Sequence, residues 1–90
     1  MDREQLAQAF KALGDRHRLK ILNLIAADEN ICACDILKEF DFSQPTLSHH
    51  IKILLSANLI QCRKEGKWVH YTLDEATIRD LQKVLDDLQF

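Results

Sequence analysis

Two cysteines separated by one alanine, Cys32-Ala33-Cys34, are the residues of this chain best suited to chemistry. Thiolates are soft ligands and capture thiophilic ions in preference to hard ones. Near a helix N-terminus a thiol also loses its proton more easily, which favours that capture. Geometry restricts the pair. On a regular α-helix, residues i and i+2 are about 200° apart and do not face each other. The residue three beyond Cys34 would share its face, but it is Leu37. Either Cys32 lies in the irregular start of a helix, or the first turn must unwind when an ion binds. Unwinding would shift whatever the helix supports and so makes the pair a switch. The remaining cysteine is Cys62. If 60–62 is a strand, Ile60 and Cys62 share a face and Cys62 is a small buried hydrophobe. Its other reading is a third ligand.

Composition sets the outer limits. Ninety residues with 47% hydrophobic content, two glycines and one proline predict one small folded domain. No long apolar run and no secretory leader are evident, and an odd number of cysteines argues against a disulfide framework. The expected location is a reducing cytoplasm. No nucleophile–base–orienter set and no glycine-rich phosphate loop is visible, so the chain is not expected to be an enzyme.

The elements that hold the cysteines follow from periodicity. Leu6, Phe10 and Leu13 mark an amphipathic first helix ending at Gly14. Asp15 caps a second, whose Leu19, Ile21, Leu22, Leu24 and Ile25 make it the central core helix. Asn30 is a plausible cap for a short third helix through about Phe40. Asp41 and Phe42 form a turn, and Ser43 caps a fourth helix with Pro45 in its first turn. Helices joined so tightly form a helix-turn-helix, here over about 31–57. After Asn58 the period falls to two: Leu59–Arg63 and Trp68–Leu73 flank Lys64-Glu65-Gly66-Lys67 as a hairpin, a wing over about 59–73. A last helix runs from Asp74 to the end. The expected fold class is mainly α with a small β-hairpin, a winged helix-turn-helix.

Charge suggests what this scaffold grips. Net charge is −2, yet residues 43–73 carry Lys52, Arg63, Lys64 and Lys67 against Glu65 alone, between acidic flanks. On the fourth helix, Leu47, Ile51, Leu54 and Leu55 form a core arc. Gln44, Pro45, Thr46, Ser48, His49, Lys52 and Ser56 lie on or beside the opposite one. Such groups can donate to phosphates and reach base edges in a major groove. Ser43 at the cap and His50, nearer the core arc, are grouped with them as DNA contacts. His17, between two arginines, is expected to be exposed, His70 to face outward from the wing, and Trp68 to anchor the wing to the body. On the last helix Ile78, Leu81, Leu85 and Leu88 form a short a/d seam with Val84 beside it. Its partner is either the domain's own core or the matching helix of a second copy. An isologous dimer would set two recognition helices about one DNA turn apart, as palindromic operators require.

Several segments together resemble the ArsR/SmtB family of bacterial winged-helix repressors, which metals or metalloids release from DNA. They are Ala12-Leu13-Gly14-Asp15, Arg18-Leu19-Lys20-Ile21-Leu22, Ile31-Cys32-Ala33-Cys34-Asp35-Ile36-Leu37, Ser43-Gln44-Pro45-Thr46-Leu47-Ser48-His49-His50 and Gly66-Lys67-Trp68-Val69-His70-Tyr71. The Cys-x-Cys-Asp motif is similar to that of the arsenic-repressor branch. The resemblance implies a homodimer joined through its first and last helices, Leu6 and Phe10 included, at about 2–13 and 74–90. It also implies DNA contacts from the helix after Ser43 and from the Arg63–Lys67 wing, and repression of an operon that includes the protein's own gene. Two departures narrow it. Some arsenic repressors carry a third cysteine where this chain has Leu37, and some relatives bind zinc through Asp and His of the last helix. Residues 74–90 contain neither His nor Cys.

Ligand count then selects the ion. Two thiolates and one further donor, such as a hydroxide or small thiol, suit As(III) or Sb(III). Zinc asks for four tetrahedral ligands, and cadmium or lead for more sulfur. The sequence therefore points to a repressor derepressed when As(III) or Sb(III) binds Cys32 and Cys34. The rivals are a thiol-redox or other soft-metal (Cd, Pb, Zn) repressor of the same fold, and a winged helix used only for protein interaction.

Overall fold

Five helices and one hairpin succeed one another as α1 (Arg3–Leu13), α2 (Arg16–Ala27), α3 (Ala33–Leu37), α4 (Gln44–Ser56), β1 (Ile60–Glu65), β2 (Trp68–Leu73) and α5 (Glu75–Asp86). The computed structural model describes residues 1–89; the expectation that the last helix reaches Phe90 lies outside them.

Polar residues start the helices where the sequence places them. Asp2 accepts the Gln5 amide at 2.8 Å while Gln5 Oε1 accepts the Asp2 amide at 2.9 Å, a reciprocal box ahead of α1. Asp15 Oδ1 accepts the amides of His17 and Arg18 at 2.8 and 3.1 Å and opens α2. Asp74 accepts the Thr77 amide at 3.1 Å and opens α5. Ser43 is the cap residue of α4, its hydroxyl 3.2 Å from that of Thr46. α4 ends at Ser56, and Asn58 just beyond its cap takes φ 60, a left-handed conformation that asparagine tolerates better than most residues. This turn sends the Asn58 amide back to Leu55 O and the Leu59 amide to Leu54 O, at 3.0 and 3.1 Å. Leu54 and Leu59, both fully buried, meet beneath it in the hydrophobic contact typical of such a cap.

Ile21, Ile25, Ile36, Leu54 and Leu59 are the largest fully buried side chains, and they draw α2, α3, α4 and the strand entry onto one core. The hairpin is antiparallel, with Ile60 opposite Leu73 and Glu65 opposite Trp68. Its turn is only Gly66-Lys67, one residue pair shorter at the start than the expected loop, because pairing continues through Lys64 and Glu65. Gly66 takes φ 60 at the first turn position, as a type II′ hairpin requires. Trp68 does not anchor the wing: it is 53% exposed at the tip, with the Lys67 ammonium 5.9 Å from its ring.

α3 departs most from expectation. Its cap is Cys32 rather than Asn30, and it ends at Leu37 rather than near Phe40. The cause is a contact distant in sequence. The Tyr71 amide donates to Ile31 O at 3.2 Å, and Cys32 forms an isolated antiparallel bridge with His70, so 31–32 run extended beside β2. Residues held extended in this way cannot be helical. Beyond Leu37, Glu39 and Phe40 turn back to Ile36 O and Leu37 O and close the helix-turn-helix turn.

An aromatic cluster braces that turn. Phe40 and Phe42 stack at 4.5 Å, and the His17 ring meets both edge-on at 5.8 and 5.4 Å. His17 is thus half-buried against the turn, not freely exposed as its arginine neighbours suggested. His50 is buried, with Arg18 Nη1 3.3 Å from its Nδ1. Burial chiefly depresses the His50 pKa, opposed by Asp15 and reinforced by Arg18, His17 and His49. The unfolded chain therefore binds a proton at this position more readily than the folded one. Stability rises with pH wherever the unfolded state holds more protons, so this contribution is lost as pH falls through the ordinary histidine range. Urea unfolding midpoints are expected to fall from about pH 7.5 to about pH 5.5, with a smaller fall in a His50→Gln variant.

Candidate metalloid site and nucleic-acid interface

Cys32 is the cap residue of α3, with extended backbone (φ −106, ψ 167), and Cys34 lies in the first helical turn. The two sulfurs are therefore not on opposite sides of a helix. They converge to 2.7 Å, and both thiols are free. Of the two geometries open to the sequence, this is the irregular start, and closure on one ion needs no unwinding of the helix. The same strand pairing that shortens α3 turns Cys32 toward Cys34.

A carboxylate completes the cluster. The Cys32 thiol donates to Asp35 Oδ2 at 3.2 Å, and the same oxygen accepts the Cys32 amide at 3.4 Å. Among the described residues, donor atoms of Cys32, Cys34 and Asp35 all lie within 4.8 Å of one another. Asp35 was missed as a site residue in the sequence, where an acidic residue three after a helix cap is the available signal. Cys62 is not in the group. It sits on β1 opposite Tyr71, and it is exposed, not buried as its alternation with Ile60 predicted.

The expected lowering of thiol pKa does not hold for Cys32. The neighbouring Cys34 thiol and burial push its pKa up, and hydrogen bonding to Asp35 acts both ways. Conversely, the Cys32 thiol and amide, with Lys38 nearby, hold the Asp35 carboxyl below its ordinary value. One half of the site is thus a protonated thiol resting on a carboxylate, and capture of an ion must displace that proton.

The site is wired to the wing. Besides the Cys32–His70 pairing, His70 Nδ1 donates to Asn30 O at 2.7 Å, and Arg63 Nη2 donates to Asn30 Oδ1 at 3.4 Å. His70 is accordingly half-buried against the 30–32 segment rather than turned outward. On its other side Cys34 borders a cleft of about 380 Å³ shared with α4.

Most of the residues expected to meet nucleic acid are exposed. Ser43, Gln44, Ser48, His49 and Lys52 are exposed along α4, with Thr46 half-buried. His50 is a correction. Its ring is inside, against Arg18 and Phe42, and cannot reach a groove. On the wing Arg63, Lys64 and Lys67 are exposed, though Arg63 Nε is held by Glu65 at 2.8 Å. Lys11 and Gln8 of α1 join His49, Lys52 and Ser56 around a second cleft of about 530 Å³.

Of the residues expected at a dimer interface, Leu85 and Leu88 are 56% and 60% exposed, and Leu6, Phe10 and Ile78 are half-buried. Leu81 is a correction: it is 4% exposed and packs into the domain's own core, taking the bland partner that its seam allowed.

This architecture matches known proteins throughout. Residues 15–61 match the arsR family of bacterial regulatory proteins. The chain belongs to that family. It is 44% identical over 81 residues to an arsenical resistance operon repressor of Staphylococcus aureus, covering 90% of this chain and 77% of that one. An uncharacterized HTH-type transcriptional regulator of Methanocaldococcus jannaschii is 41% identical over 85 residues, covering 94% and 96%. A homodimeric winged helix-turn-helix DNA-binding domain from Mycobacterium bovis, a possible ArsR-family regulator, superposes with a TM-score of 0.76 at 31% identity, covering 93% of this chain and 80% of that one. This ArsR-family protein is a DNA-binding transcriptional repressor with a winged helix-turn-helix fold, and it is not an enzyme. Among the described residues, no helix is long and apolar enough to cross a membrane.

Proposed function

We propose that this repressor binds palindromic operator DNA as a homodimer in the cytoplasm and releases it when As(III) or Sb(III) is held by Cys32 and Cys34. The observation that carries this reading is the convergence of two free sulfurs at the cap of α3, on a residue whose backbone pairs with the wing. Arsenite enters as As(OH)3. Two As–S bonds form, two As–O bonds break, and the thiol protons leave with the hydroxides as two waters. Asp35 would lose the hydrogen bond it accepts from the Cys32 thiol and be free to accept one from the remaining As–OH. Zinc finds two sulfurs and one carboxylate here and no imidazole in the group, short of its four ligands.

Release follows from position. Bonding to the ion moves the Cys32 sulfur, Cys32 pairs with His70, and His70 faces Arg63 across the hairpin. The wing and α4 then no longer fit the duplex together. In the bound state Ser43, Gln44, Thr46, Ser48, His49 and Lys52 meet the groove and its phosphates, and Arg63, Lys64 and Lys67 grip the backbone beside it. Each phosphate contact adds about 0.9 to the slope of log affinity against log salt. Lys52→Ala is therefore expected to weaken binding of DNA from upstream of the protein's own gene and to lower that slope by about one. Arg63→Ala should lower it less, since Glu65 already neutralises that charge.

Anisotropy of that DNA, titrated with the repressor with and without arsenite, tests the reading. Unchanged affinity at saturating arsenite would sink it. The 2.7 Å sulfur separation also favours a thiol-redox sensor, in which peroxide alone releases the DNA. Release by peroxide but not by arsenite would replace the proposal with that rival.

A further inference from the structure

We infer that the site is built for trivalent organoarsenicals, R–As(OH)2, in preference to inorganic arsenite, with the organic group R seated in the cleft between α3 and α4. The inference rests on the reading that As(III) binds Cys32 and Cys34, and it names the ligand class within that reading.

Valence supplies the first argument. As(III) makes three bonds, and the site supplies two sulfurs: among the described residues, no third sulfur lies within 4.8 Å of both. An organoarsenical already spends one valence on carbon and has two exchangeable oxygens. The reaction is R–As(OH)2 with two thiols giving R–As(S-Cys)2 and two waters. Two As–O bonds break, two As–S bonds form, the thiol protons leave in the waters, and no electron changes hands. Arsenite reacting at the same pair keeps an As–OH group, although arsenic bonds sulfur more strongly than oxygen. Two thiolates saturate the organic species and leave the inorganic one short.

Space supplies the second. Cys34 opens onto a cleft of about 380 Å³, whose apolar wall includes Leu37, Leu47, Ile51 and Leu55. Neither Cys32 nor Asp35 borders it, so an arsenic held by the pair has a carboxylate on one side and an apolar recess on the other. A hydrocarbon gains burial against that apolar wall, which a hydroxyl does not. The α4 side of the same cleft also carries Gln44, Ser48 and Lys52, on the helix face proposed to read DNA. An aryl group entering the cleft therefore presses directly on α4, independently of the route through His70.

The test is DNA release by the full-length protein, followed by anisotropy, with phenylarsine oxide and sodium arsenite titrated in parallel and adducts read by intact mass. The expected result is release by phenylarsine oxide at an arsenical concentration about tenfold or more lower than arsenite, with one phenylarsenic per chain. Leu37→Phe, which narrows the cleft beside Cys34, is expected to raise the phenylarsine oxide requirement about tenfold and leave that for arsenite unchanged. Leu37→Cys, which adds a third sulfur on the face of Cys34, is expected to reverse the preference. Release by arsenite at equal or lower concentration than phenylarsine oxide overturns the inference and leaves the proposed function standing. A preference unaffected by Leu37→Phe overturns the role of the cleft. Absence of both adduct and release with either compound overturns the inference and the proposed function together.

Discussion

Serine in place of both Cys32 and Cys34 is expected to leave DNA affinity close to that of the parent protein and to abolish the response to arsenite. Serine is among the preferred residues at a helix cap, so the start of α3 at position 32 is retained and the extended pairing with His70 is undisturbed. Cys34 is exposed, and its replacement creates no cavity. What disappears is the soft donor pair. Hydroxyls do not substitute for thiolates toward a thiophilic ion. Losing an outer partner of a bound ion already costs about 10- to 100-fold in affinity, and losing the ligands themselves costs more. The arsenite concentration giving half release should therefore move by on the order of a hundredfold or beyond the measurable range. Cys62→Ser should leave the response unchanged, because Cys62 is not in the cluster. Retained arsenite release in the double variant would remove these residues from the mechanism.

Ile36→Ala is expected to be the most damaging single change near the site. Ile36 is fully buried, and it is the only buried residue of the five in α3. Truncating a buried isoleucine to alanine costs about 2–5 kcal/mol, the upper part where the surroundings cannot collapse. Domains of this kind hold only about 5–15 kcal/mol in total, so the loss is a large fraction. The short helix has no hydrogen-bonded length of its own to resist it, since helices this brief depend on tertiary packing. The urea midpoint should fall steeply, and the arsenite response should degrade in whatever fraction stays folded. Leu37→Ala, on a half-buried neighbour, is the control and should cost distinctly less.

The sequence made most of this fold legible because its signals are local. Asp15, Ser43 and Asp74 start helices where their side chains can serve the first turn, and Gly14 stops α1. The Lys64–Lys67 cluster announced the hairpin, although its turn proved tighter. The candidate site was legible in its residues but not in its geometry. That Cys32 is extended follows from its pairing with His70, 38 positions away, which no local pattern encodes. The same contact explains why α3 starts late, why His70 is not free, and why Asp35 shares the site. His17 and His50 were misjudged for a related reason. The arginines beside His17 suggested solvent, and His50, although nearer the core arc, was grouped with the DNA contacts; Phe40 and Phe42 close over His17, and Phe42 packs against His50. Leu81 lies on the same seam as Leu85 and Leu88, and its position along α5 turns it inward while they remain exposed.

The most direct measurement of the central claim is arsenic X-ray absorption on the arsenite-loaded protein. Arsenic bound by Cys32 and Cys34 alone predicts two sulfur neighbours and one light atom, unchanged by Cys62→Ser. Three sulfurs that fall to two in Cys62→Ser, or no sulfur at all, would contradict it.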